Sequence, residues 1–221
     1  MKKNRKTGFT MIEVLVSLAL MVIIVGLSAF LYARAARIRK LITYQSNVQN
    51  ILNSMITEIN FGSRDTIGLQ YAYDIARSVG HPPYKLHPPY ELGFYDNTKG
   101  EYVFYLISPG MYSGHPSSLP TTNTDTSLWQ AKTNSSDFPS RTSGEWKLID
   151  INKSIVLASG SSFTYYRPDS TTRFKKIDDL TVETPIAVKI ILTGKATDPS
   201  LRTRPPITAT TMVRPKNKIT F

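Results

Sequence analysis

Three histidines, His81, His87 and His115, are the only imidazoles in the chain, and two of them open the repeat HPPY at 81–84 and 87–90. A zinc site wants three or four donors at defined spacing. The nearest carboxylates, Asp74 and Glu91, follow no such spacing. Each Pro-Pro fixes an extended backbone, on which the two rings need not face one another. The repeat reads as a rigid, aromatic-edged loop, and no metal ligand is assigned. Asp178-Asp179, beside Lys175 and Lys176, is a paired carboxylate of the kind acid–base work or calcium uses. Calcium takes about six to eight converging oxygens, and this stretch offers two carboxylates before Leu180 and Thr181, which suits a solvated charged turn. The absence of cysteine excludes thiolate metal sites, disulfides and Cys nucleophiles. With no Gly-rich phosphate loop, no G-x-S-x-G elbow and no histidine in triad order, the sequence points to neither an enzyme nor a cofactor.

Glu13 is the residue whose position asks for a partner. It is the only charge in residues 9–31 (FTMIEVLVSLALMVIIVGLSAFL), which follow a leader carrying Lys2, Lys3, Arg5 and Lys6 and ending at Gly8. As a helix the apolar run is ~34 Å long, enough to cross a hydrocarbon core of about 30 Å. A carboxylate inside such a run is costly, less so near the interface. Two readings follow: the side chain snorkels to the membrane edge, or it waits for a cation. A cut after Gly8 would give Phe9 a free amine. In a stack of identical helices, Glu13 of one copy could then pair with a neighbour's terminal ammonium and remove two buried charges together.

The stretch KTG followed by FTMIEVLVSLAL closely resembles the class III leader of type IV pilins and type II secretion pseudopilins. The resemblance implies that prepilin peptidase cuts between Gly8 and Phe9, that Phe9 is N-methylated, and that Glu13, fifth in the mature chain, serves filament assembly. Met11 stands where leucine is more usual. The family further implies other pilins or pseudopilins, the inner-membrane assembly platform and, before assembly, the lipid bilayer as partners. It also implies a single-pass protein of the bacterial inner membrane with its C-terminal head exported. Charge alone does not set that orientation, because Arg34, Arg37, Arg39 and Lys40 beyond the run match the four basic residues of the leader. Ala33-Arg34-Ala35 imitates a secretory A-x-A cleavage site, but residues 14–31 exceed a usual 7–15-residue signal core, and Arg34 adjoins the cut.

The elements that must carry this segment follow from periodicity. No proline precedes Pro82, and Leu41, Tyr44, Val48, Ile51, Leu52, Met55, Ile56 and Ile59 form one apolar stripe at three- and four-residue intervals. A helix from Phe9 to about Phe61, capped by Gly62, would be ~80 Å long, and its second half needs a sheet over the stripe. Gly26 permits local unwinding, though glycine is common in membrane helices. The segments 101–107, 146–151, 155–157, 163–167, 187–193 and 207–213 are rich in β-branched and aromatic residues and predict strands, with Ser159-Gly160-Ser161 as a hairpin-like turn. Short connections favour an antiparallel sheet. Of the 37 residues 108–144, 26 are Ser, Thr, Asn, Asp, Gly or Pro, too polar for a core. They predict a surface flap or a face that meets a partner, pinned by Trp129 and Phe138.

The expected architecture is thus α+β and pilin-like: leader 1–8, membrane or filament-core helix 9–31, amphipathic continuation 32–62, and β-rich head 63–221 with the insertion 108–144. The net charge of +11 includes the leader, and Arg202, Arg204, Arg214, Lys216 and Lys218 crowd the C-terminus without an acid. A nucleic-acid patch ranks below solvated surface as their explanation. The functional expectation is a minor pilin- or pseudopilin-like structural subunit that joins a type IV pilus or a secretion pseudopilus. The alternatives are a secreted binding domain and a membrane-anchored adhesin that never polymerises.

Overall fold

The computed structural model describes residues 10–72, 74–75, 89–108, 126–134, 146–149, 155–170, 173–177, 185–198 and 204–216. Gly8, Phe9, the three histidines, Phe138 and Asp178-Asp179 lie outside them. A 51-residue helix, α1 (Met11–Phe61), opens the fold. The chain divides into two compact units, Met1–Gln45 and Ser46–Phe221. In the first, every described residue from Thr10 to Lys40 is exposed, residues 10–31 of the apolar run among them.

In the second unit, the stripe is the core face of α1. Val48, Leu52, Met55, Ile56 and Ile59 are buried, Leu52 and Ile59 completely, as the spacing predicts. Each such side chain contributes about 1.5–3 kcal/mol of burial. The helix ends where a side chain becomes intolerable. Gly62 sits at φ 85°, its N–H donates to the Glu58 carbonyl at 2.8 Å, and a Cβ there would overlap the Thr66 carbonyl. The following loop folds back so closely that a Cβ on Gly68 would strike the backbone of Asn60 and Phe61.

Among the described residues, ten strands form two antiparallel sheets. The first is a meander of β1 (Asp74–Ile75), β2 (Glu91–Asp96), β3 (Glu101–Ser108), β4 (Ser127–Thr133) and β5 (Lys147–Leu148), in that order. The second comprises β6 (Ile155–Leu157), β7 (Ser162–Ser170), β8 (Arg173–Lys176), β9 (Ala187–Ala196) and β10 (Ile207–Val213), ordered β10-β9-β7-β8, with β6 also on β9. The bridge Thr126–Leu157 joins them. Phe94, Phe104, Tyr105, Phe163 and Tyr165 fill the interior with fully buried rings.

Two expectations need correction. The polar stretch 108–144 is not loop throughout: β4 lies within it, pairs with β3 from Tyr102–Thr133 to Ser108–Ser127, and buries Leu128, Gln130 and Ala131. Pairing with β3 along all seven residues, with Leu128 and Ala131 buried, outweighs the polar flanks. Nor does Ser159-Gly160-Ser161 make a hairpin. β6 and β7 run collinearly along the same edge of β9, Leu157 opposite Gly194 and Ser162 opposite Ile191. The Ser161 hydroxyl bridges the interruption, donating to the Thr193 carbonyl at 3.1 Å and accepting the Thr193 N–H at 2.9 Å.

Candidate functional site

Of the three residues that sequence reasoning singles out, Glu13 is the one the structure describes, and it lies in the first turn of α1. Its carboxylate does not project alone. Oε2 accepts the Thr10 backbone N–H at 2.8 Å and the Thr10 hydroxyl at 3.0 Å. In return, the Glu13 N–H points to Thr10 Oγ1 at 3.4 Å. This is a reciprocal capping box: the N-cap Thr satisfies a helix donor, and the acid three residues on reaches back to the cap. The carboxylate also stands at the positive end of the helix dipole. Ser17 Oγ donates to the Glu13 carbonyl at 2.7 Å, securing the next turn. The motif Thr10-x-x-Glu13 before an apolar run is a legible sequence signal that the reading of Glu13 as an intermolecular group passed over.

The arrangement supplies a fixed negative charge at the positive end of a helix. Among the described residues, Glu13 Oε1 makes no hydrogen bond. Around it, Met11, Ile12, Val14, Leu15 and Leu18 are 48–81% exposed, an apolar surface with water excluded only if lipid or another helix covers it. The helix is long and apolar enough to cross a membrane.

A second concavity, of about 500 Å³, lies at the far end of α1 and is lined by Glu58, Ser63, Asp65, Gln130, Lys132 and Lys147. Burial pushes the Glu58 carboxyl above its ordinary range. Lys99 Nζ and Lys132 Nζ both donate to the Asp65 carbonyl, at 2.7 and 2.5 Å. Behind them Gln130 Nε2 donates to the buried Tyr105 hydroxyl at 2.7 Å. These contacts tie the loop after the helix to β4 and to the turn between β2 and β3. Among the described residues, no three His, Asp or Glu side chains converge as metal ligands would.

Residues 3–29 match the family described as the prokaryotic N-terminal methylation motif, the signature of type IV pilins and pseudopilins. No curated protein and no solved structure gives a match to the chain. The signature and the apolar helix together support a membrane-anchored protein that carries a pilin-type N-terminal motif on an α+β architecture. The motif implies processing by prepilin peptidase and association with other pilins.

Proposed function

We propose that the protein is a minor pilin- or pseudopilin-like structural subunit, held in the inner membrane as a precursor and drawn into a filament after processing. Prepilin peptidase cuts between Gly8 and Phe9, the new terminus is methylated on Phe9, and Glu13 guides each subunit into place. The observation that carries this reading is a lone acid in an exposed apolar run, at the fifth position of the chain that a cut after Gly8 would leave. A neighbour's Phe9 ammonium would supply the missing positive charge, so two ions that are costly in lipid vanish as one pair. The exported head, with the polar composition of residues 108–144, suits a subunit that initiates, caps or adapts a filament.

N-terminal sequencing and mass spectrometry of the membrane-extracted chain test the first step: a start at N-methyl-Phe9 is expected, and an intact leader in cells with a working peptidase overturns the proposal. For the second step, Glu13→Ala should leave processing intact and abolish incorporation into sheared filaments. Unchanged function would instead identify a membrane anchor that never polymerises.

A further inference from the structure

A sheet edge displays unpaired N–H and C=O groups, and natural proteins blunt such edges with short strands, charges, prolines or bulges. Among the described strands, three of the four terminal strands in the two sheet orders are blunted, and β6, three residues long, is tied through the Leu157 N–H to the Thr126 carbonyl. β1 and β5 have two residues each. β8 is the fully exposed sequence RFKK, opposite a register break in β7 between Pro168 and Ser170. β10 has none of these devices. It runs seven residues, ITATTMV, without a charge or a proline, in unbroken register with β9 from Ile207–Gly194 to Val213–Val188. Among the described residues no strand pairs with its outer edge. In an antiparallel ladder, alternate residues aim both backbone groups away from the neighbour, so about half of β10 offers a ready template.

The strand's ends say what fits there. Pro205 and Pro206 precede it and Pro215 follows, fixing its length at seven residues. Just outside stand Arg204 and Arg214, both exposed. A second copy pairing all seven residues of β10 on β10 about a two-fold axis sets Ile207 opposite Val213 and so brings Arg204 of one chain opposite Lys216 of the other, next to its Arg214, and like charges opposite one another destabilise a pair. Acidic residues at those places would be attracted.

We infer that the outer edge of β10 is a strand-addition site for a different protein. It takes an extended segment of about seven residues with alternating β-branched side chains and Asp or Glu at both ends, set against Arg204 and Arg214. Backbone bonds supply affinity, while the arginines and the exposed row Thr208, Thr210 and Met212 supply selection. This site is independent of the Gly8 cut and of Glu13 pairing.

The test uses the full chain in detergent and a synthetic peptide of seven alternating Thr and Val residues ending in two Glu at each side. Its controls are the same peptide with Lys ends and one with a central proline. The Glu-ended peptide should bind and slow amide exchange in 207–213, and the proline version should not. The double variant Arg204→Glu, Arg214→Glu should weaken the Glu-ended peptide about fivefold, the change two exposed ion pairs give, and favour the Lys-ended one. Both positions are exposed, so the fold is kept; unaltered tryptophan emission verifies it. Equal binding of both peptides, no new protection in 207–213, or protection that rises with protein concentration alone would each overturn the inference.

Discussion

Leu52 on α1 lies directly against Gly194 on β9, and the pair makes a quantitative prediction. Leu52 is fully buried, so Leu52→Ala removes three carbons from a closed space and should cost about 3 kcal/mol, within the usual span of about 2–5. A Cβ on Gly194 would lie 3.1 Å from Leu52 Cδ2 and 3.3 Å from Ile155 Cδ1. Both are ends of flexible side chains, so Gly194→Ala should cost about 1–2 kcal/mol of overpacking, offset by roughly 0.4–1 kcal/mol from restricting the unfolded chain. In the double variant the new methyl enters the space Leu52 vacates and the tightest contact disappears. The combined cost should then fall below the sum of the single costs by about 1 kcal/mol. Urea unfolding of the detergent-solubilised chain reads this out, because both tryptophans, Trp129 on β4 and the buried Trp146, lie in the head. Strict additivity, or a Leu52→Ala cost below about 1 kcal/mol, would refute the packing argument.

Other perturbations follow from the same structure. Burial raises the Glu58 carboxyl, so the folded state holds its proton longer than the unfolded chain and stability should fall as pH rises from the ordinary value of 4.5 through the raised one; Glu58→Gln should flatten that slope in urea melts taken between pH 4 and 7. The hydroxyls of Tyr105 and Tyr165 are pushed upward chiefly by burial, so in an alkaline ultraviolet titration of the 12 tyrosines these two should ionise only as the head unfolds, and Tyr105→Phe should remove one group from that late phase. Gly62→Ala combines a left-handed backbone, about 1–2 kcal/mol for a residue with a Cβ, with overlap on the Thr66 carbonyl; Gly68→Ala meets the backbone of Asn60 and Phe61, which cannot step aside, and should cost about 3 kcal/mol or more by the same melts.

The helix was legible because one stripe and one glycine carried it: Val48 to Ile59 repeat at helical spacing, and Gly62 stands where the chain must take a positive φ. Strands β3, β9 and β10 were legible because aromatic and β-branched residues run together in them. β2 hid behind acids at both ends, Glu91 and Asp96, that the fold buries. Exposure of all four β8 residues left no alternation to read. In β4 the core residues Leu128 and Ala131 were outnumbered by the serines and threonines around them, and pairing with β3 decided the matter from a distance. At the candidate site, the position of Glu13 was plain from its isolation in an apolar run. Its local partner Thr10 was not, because a charge in lipid draws the eye to distant counter-ions before the residue three places earlier.

Lys99 and Lys132 come from different places on the first sheet, yet both end on the carbonyl of Asp65, four residues past the last turn of α1. A tug along the helix axis would therefore reach the sheet at two anchorage points at once, rather than peeling strands from one side. Ammonium groups also sit well near the electronegative C-terminal end of a helix, and the last turn of α1 has no basic residue of its own. Removing either lysine should leave the resting fold nearly unchanged and lower the force at which the loop after α1 pulls away from the first sheet.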